Sequence, residues 1–281
     1  MNIAVVAPHL NKTGVTTVSC LLGLEFSNRG KTVCITHASE RSESMYQYFD
    51  LDKRDDRTAN TDRLIKLIKQ EVITPDEFAD YCKSVKNKLD VFSVYRGMDV
   101  SNKILADGEE GEIIPDDSAS LRGFIVEHAP YDYMIYDIDT DIEDDNAWYY
   151  LSKADVVINV FNQDVINLQK YRKDIRKINK VIKDKPQLVV LNQYDDISGD
   201  VKKCASMMGL KKANNWHCLR YNSWIRYATN NGKLRKLYDG SMLKGDIRVL
   251  DITKDIKNIA NAVQKVKIAA RKQVIEVKKN K

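Results

Sequence analysis

Residues 2–30, NIAVVAPHLNKTGVTTVSCLLGLEFSNRG, constrain the fold more than any other stretch, because they read as strand, polar loop and helix in immediate succession. Ile3, Ala4, Val5, Val6 and Ala7 form a short apolar run that predicts a buried strand. Thr16 and Thr17 then open a run in which Val18, Leu21, Leu22, Leu24 and Phe26 recur at roughly helical spacing up to Gly30. A loop placed between strand and helix aims backbone N–H groups and the positive end of the helix dipole at one point, a geometry that cradles phosphate. The full loop pattern is G-x-x-x-x-G-K-[ST]. Here it reads H-L-N-K-T-G-V-T: Gly14 and Thr16 are in place, His9 stands for the first glycine and Val15 for the lysine.

The flanks add a resemblance. The run LNKTGVTTVSCLLGLEFSNRGKTVCIT, opening at Leu10, resembles the N-terminus of the ParA/MinD family of P-loop ATPases. Their deviant Walker A loop reads K-G-G-x-G-K-T-T and leads through a helix and R-G into a strand that starts K-x-V. Gly14, Thr16, Thr17 and Arg29-Gly30-Lys31 match, whereas Leu10 replaces the signature lysine, Asn11 and Lys12 the two glycines, and Val15 the Walker lysine. The resemblance implies an α/β fold of three layers, a mostly parallel sheet with helices on both faces.

Further along, Tyr131-Asp132-Tyr133-Met134-Ile135-Tyr136-Asp137 resembles the family's Walker B strand. Its aspartate would hold the water shell of a magnesium ion beside the loop threonine, hard oxygen chemistry that suits the cation. Residues 154–161 (ADVVINVF) and the helix expected from Asp164 repeat the next family strand and helix. Residues 187–191 then make a buried strand ending in Asn192, which the resemblance places at the adenine edge. Residues 215–222 (NWHCLRYN) resemble the last strand and its I-P-Y-[ND] ending, with Arg220 where proline is common. By resemblance the nucleotide-binding residues are thus Lys12, Thr13, Gly14, Val15, Thr16, Thr17, Asn192 and Tyr221, with Thr16 and Asp137 for the metal. ATP and Mg2+ are the implied cofactors, and a homodimer with protein partners in a localisation machinery the implied assembly.

What hydrolysis needs is damaged. The family uses the Walker lysine, a signature lysine reaching across the dimer, and an aspartate after the second strand. This chain has Val15, Leu10 and His37-Ala38-Ser39-Glu40-Arg41 there. Cations and a positioned water supply much of phosphoryl-transfer catalysis, so binding is expected to outlast turnover. Lys12 is either a replacement cation or an exposed turn lysine, Glu40 a substitute acid or a turn glutamate, and His37 a strand-end residue. Asp139 and Asp141 are expected in solvent. The G-x-T-T form of the loop is similar to that of TadZ/CpaE-like pilus-localisation proteins. The receiver-like domain many of them carry ahead of the loop is not expected here. Three functions stay open: a nucleotide-binding positioning protein with weak or no hydrolysis, serving pilus assembly, partition or conjugation; an active ATPase using Lys12; and a nucleotide-free pseudo-ATPase scaffold.

Between these motifs, residues 50–86 are polar and helical in pattern, with Phe78, Tyr81, Cys82 and Val85 at helix spacing after a Thr74-Pro75-Asp76-Glu77 start. Residues 89–95 alternate as a strand, and the acidic residues 99–120 read as a surface insertion. On the helix from Asp164, Ile166, Leu168, Tyr171, Ile175, Ile178 and Ile182 are expected to pack inward. The 281 residues, 43% of them hydrophobic, fit a single domain closed by an amphipathic helix over 252–281. Five cysteines without a C-x-x-C read as reduced core residues, and neither a leader nor a membrane span is evident, so a cytoplasmic place, or one peripheral to membrane or nucleoid, is expected.

The net charge of +5 is uneven: residues 251–281 hold nine Lys/Arg against three Asp/Glu, leaving the remainder near −1. A basic end of this kind suits either a weak contact with DNA or an anionic membrane, or a solubilising end to the last packing helix. Its apolar stripe (Val266, Ala269, Ala270, Val274) lacks the large anchors of an interfacial helix, so any attachment is electrostatic. Each basic residue near an anionic membrane contributes on the order of 1 kcal/mol. Deleting residues 271–281 is therefore expected to weaken low-salt binding to duplex DNA or to anionic vesicles. Unchanged binding to both would remove the tail from the functional account.

Overall fold

The computed structural model describes residues 1–7, 13–39, 44–51, 57–93, 118–140, 144–210, 215–242 and 247–279. Its centre is an eight-stranded sheet in the order β3-β4-β2-β5-β1-β6-β7-β8. The strands are β1 (Asn2–Val6), β2 (Val33–His37), β3 (Lys83–Lys86), β4 (Leu89–Phe92), β5 (Tyr133–Ile138), β6 (Val156–Phe161), β7 (Gln187–Tyr194) and β8 (Trp216–Arg220). Every pairing is parallel except β3 with β4. The near-continuous apolar runs of β1, β5 and β6 are what a strand covered on both faces requires.

Alternate residues of those strands feed two cores. On one face Ile3, Val5 and Ile135 pack with α1 (Val15–Asn28), α2 (Ser44–Phe49), α8 (Ser223–Asn230), α9 (Leu234–Tyr238) and α10 (Ile247–Lys279). On the other, Ala4, Val6 and Tyr136 pack with α3 (Arg57–Lys69), α4 (Ser118–His128), α5 (Asp145–Lys153), α6 (Val165–Ile182) and α7 (Val201–Met207). This is the three-layer α/β architecture expected from the alternation of apolar strands and helices. The five cysteines are free, and three of them are buried.

Helix α1 is the most enclosed element, with twelve of its 14 residues buried, so it is apolar nearly all round rather than along one stripe. Gly23 lets it lie close on the sheet, since a Cβ there would come 2.6 Å from Ile35 Cδ1. Phe26 stacks on Tyr133 with ring centroids 4.3 Å apart. The buried Glu25 takes Arg29 Nε at 2.6 Å and the Tyr238 hydroxyl, which satisfies its charge without water. Arg29 continues to Asn261 and Gln264, both at 2.8 Å, tying α1 to α10.

Several local expectations are corrected. Residues 83–86 are the antiparallel edge strand β3 rather than helix. Val85 packs into the core while Ser84 is exposed and Lys83 and Lys86 stay half-buried, with a register shift between Ser84 and Lys86. The Thr74 start does form, with Glu77 Oε2 accepting from Thr74 N at 2.7 Å, but it opens only a 3-10 turn, Asp76–Tyr81. Ile166 is exposed instead of packed inward, because Asp164 caps α6 and the first turn lies outside the sheet; Leu168, Tyr171 and Ile182 are buried as expected. The proposed insertion falls largely in residues 94–117, outside the described residues, while residues 118–120 open α4. The last helix begins at Ile247, five residues before the expected start. Helices α2 and α9 were not anticipated at all.

The far edge of the sheet is held by charge. Asp255 of α10 accepts from the Arg220 backbone N at 3.1 Å, from Nε at 3.0 Å and from Nη2 at 2.8 Å, while Asp251 takes Nη1 at 2.9 Å. Asp255 is buried and Asp251 is half exposed. Asp255→Ala is expected to lower unfolding free energy by about 2 kcal/mol in a urea titration. Asp251→Ala should cost under about 1 kcal/mol, and equal losses would refute the ranking.

Candidate functional site

At the carboxyl ends of β1, β5 and β7 a cleft of about 850 Å³ opens against the N-terminus of α1. Gly14, Thr16, Asn192, Tyr221, Arg226 and Tyr48 are among its lining residues. The loop glycine has the left-handed conformation, φ 85° and ψ 34°, and its carbonyl accepts the first helical bond from Val18 N at 3.0 Å. A Cβ at Gly14 would lie 2.2 Å from Asn192 Nδ2, so both space and φ demand glycine there. Among the described residues no side chain caps α1, and its first turn carries no acid, so the dipole end and its amide hydrogens are free to meet an anion in the cleft. Thr13 Oγ1 is buried beside them without a hydrogen-bond partner. An orphaned hydroxyl, uncapped amides and a glycine cradle together fit an anionic oxygen.

Asn192 is buried, and its amide donates to the Thr13 carbonyl at 2.6 Å. Its first contact is therefore with the loop backbone, which it braces. Val15 and Thr17 are buried, Thr16 is half-buried, and Tyr221 is exposed at the cleft mouth. Lys12 and Glu40 lie outside the described residues. Tyr48 of α2 was missed by sequence reasoning, since it belongs to no motif. Burial pushes its phenol up, and a hydrogen bond with Thr17 partly offsets this. Arg226 likewise belongs to no motif. It lies on α8, exposed and lining the cleft. Arg220 also lines the cleft, but Asp251 and Asp255 hold its guanidinium.

Behind the loop sits a buried charge cluster. Parallel pairing of β2 with β5 sets His37 beside Asp137, and His37 Nδ1 lies 2.9 Å from Asp137 Oδ2. That distance makes an ion pair, although the two atoms are not aligned as a hydrogen bond. Ser19 of α1 donates to the other oxygen, Asp137 Oδ1, at 3.0 Å. Asp139 reaches the same imidazole at 3.5 Å and lines the cleft. Asp139 is half-buried in this cluster, which corrects the expectation of a solvated carboxylate: the strand end turns it back over β2. Burial alone would lower the His37 pKa, but the carboxylates of Asp137 and Asp139 outweigh it and raise it to about 9.

No protein-family model matches this chain, and no curated protein matches it. Solved structures do. MinD from Pyrococcus horikoshii, complexed with Mg-ADP, aligns with TM-score 0.61 at 13% identity over 94% of this chain and 96% of that one. A ParA family ATPase from Chlorobium tepidum gives TM-score 0.64 at 13% identity over 92% and 97%. The MinC:MinD cell division protein complex of Aquifex aeolicus gives 0.62 at 13% over 91% and 95%. The fold is therefore that of the MinD and ParA P-loop proteins. Among the described residues no helix is long and apolar enough to cross a membrane.

The histidine cluster has a pH signature. In the unfolded chain His37 loses its proton near its ordinary value of 6.5, while in the fold it keeps it to about 9. The pair thus contributes fully below pH 6.5, and its contribution, on the order of 3 kcal/mol, fades as the pH rises to 9. In metal-free protein, denaturant titrations across that window are expected to show the decline, and His37→Gln should flatten it. An equal decline in the variant would remove His37 from the account.

Proposed function

We propose that this protein binds ATP with Mg2+ in the cleft at the N-terminus of α1 and acts as a positioning or recruitment protein with weak or no hydrolysis. The observation that carries the reading is the loop itself. It keeps a left-handed Gly14, uncapped amides and an orphaned Thr13 hydroxyl, while a buried Val15 stands where a lysine would supply charge. Thr13, Gly14, Val15, Thr16 and Thr17 would face the phosphates, Thr16 and Asp137 would hold the magnesium and its waters, and Asn192 and Tyr221 would take the base end. The metal, when bound, would neutralise phosphate charge. This chain's residues bind and orient, and the groups that would accelerate transfer are replaced. Support for slow chemistry comes from the His37–Asp137 pair, which fixes a positive charge beside the carboxylate instead of leaving it to the metal alone.

The neighbours are a MinD bound to Mg-ADP, a ParA family ATPase and a MinD joined to MinC. Their fold supports a nucleotide-dependent homodimer that recruits protein partners. Pilus assembly of the TadZ/CpaE kind, partition and conjugation are the machineries proposed. Peripheral contact with DNA or an anionic membrane would run through the basic end of α10. An active ATPase using Lys12 is the second enzymatic reading, and the turnover measurement below decides against or for it.

Calorimetry with ATP and Mg2+ is expected to give saturable binding between micromolar and millimolar, with turnover far below about 1 per second. Gly14→Ala should abolish binding, because the new Cβ collides with the Asn192 amide. Thr16→Ala should weaken it through the metal, and Val15→Lys should strengthen it. Absence of binding at millimolar ATP would sink the nucleotide reading, and turnover at or above about 1 per second would sink the slow-chemistry half.

A further inference from the structure

The ends of β2 and β5 turn three donor atoms toward one point. His37 Nδ1 is 2.9 Å from Asp137 Oδ2 and 3.5 Å from Asp139 Oδ2, and the ligand atoms of the three residues lie within 4.8 Å of one another. His37 and Asp137 are at most 2% exposed, and His37 Nδ1 and Asp137 Oδ2 have no aligned hydrogen bond. The other ring nitrogen, Nε2, lies 3.4 Å from Ser44 Oγ. With its proton on Nε2, a neutral ring turns the Nδ1 lone pair onto two carboxylates. Acceptors crowded in that way need a cation among them, either a proton on Nδ1 or a metal ion. Separations of 2.9 and 3.5 Å are edges of a coordination polyhedron with bonds of about 2.0–2.2 Å meeting at roughly 90–115°.

We propose that His37, Asp137 and Asp139 form a binding site for a divalent first-row transition cation that accepts imidazole nitrogen, of the Zn2+ or Co2+ type, and that it loads without nucleotide. One nitrogen and two carboxylate oxygens are the donor set for such an ion. Mg2+, which prefers oxygen and gives up its water reluctantly, is disfavoured by the ring. The outer contacts a metal site needs are already in place. Ser44 Oγ sits at the far ring nitrogen, and Ser19 Oγ holds the second oxygen of Asp137 at 3.0 Å. Asp139 lines the cleft, so the ion has an entry path and its remaining positions face solvent. The site differs from a magnesium shell at Thr16 in two respects: nitrogen is a direct ligand, and no phosphate is required. It does not rest on the nucleotide reading, and metal alone tests it.

The 281-residue chain, stripped with chelator, would be titrated with Zn2+ and with Mg2+ by calorimetry, and with Co2+ by visible absorption. The expected result is one Zn2+ per chain, Co2+ bands at the same stoichiometry, and Mg2+ binding at least about 100-fold weaker. His37→Gln should abolish the site. Asp139→Asn, a change at the cleft edge outside the apolar cores, should weaken Zn2+ at least about 10-fold. Circular dichroism melts would confirm that each variant is folded. Three results would overturn the proposal: no stoichiometric Zn2+ or Co2+ on folded wild-type protein, Mg2+ binding as tightly, or Zn2+ binding undiminished in both variants, as it would be if the five cysteines took the metal.

Discussion

The buried carboxylate of Asp137 is the point on which the site depends. It lies on a central strand, hydrogen-bonded to a serine of α1 on one oxygen and charge-paired to His37 of β2 on the other. A carboxylate enclosed by protein must be paired or pay a desolvation cost of several kcal/mol. Asp137 therefore couples three elements, the neighbouring strands β5 and β2 and the helix α1 that covers them. The Ser19 contact fixes the rotation of α1 over the sheet, and with it the direction in which the uncapped amides of that helix point. The His37 contact fixes the end of β2. Whatever binds at the cleft meets a loop whose orientation is set from behind.

A second brace works from the side. Asn192, at the end of β7, reaches the Thr13 carbonyl and fills the space where a Cβ on Gly14 would go. An asparagine in contact with the loop and also lining the cleft can report to the loop what occupies the cleft beside it. The two braces divide the labour. Asp137 and Ser19 orient the helix, and Asn192 holds the turn before it.

The architecture was legible in the sequence where strands are buried on both faces. Residues 133–138 and 156–161 leave no other home for so many adjacent apolar side chains. Short edge elements were not, because four residues such as Lys83–Lys86 match a helix turn and a strand equally well until a partner strand is seen. The candidate site divides in the same way. Gly14 was legible because its left-handed backbone geometry writes itself into residue type. His37 and Asp139 were not, since their meaning lies in which strands are neighbours: β2 pairs with β5 across a separation of about a hundred residues that no local pattern encodes. Tyr48 reached the cleft by the packing of a short helix, again without any motif.

On the proposed reading, the cluster and the loop together account for a cleft that suits an anion with Val15, not lysine, in its loop. A lysine contributes a mobile charge that follows the phosphate through reaction, which matters most where charge moves. Amide dipoles and a fixed imidazolium contribute a field that does not follow anything. Such a field stabilises a bound anion about as well in the ground state as in the transition state, and uniform stabilisation of that kind lowers a dissociation constant without raising a rate. Valine rather than lysine at position 15 and the placing of His37 at Asp137 would therefore act in one direction under the proposed function. On that proposal they favour holding a bound anion over turning it over, which suits a protein that marks a state rather than consuming its ligand.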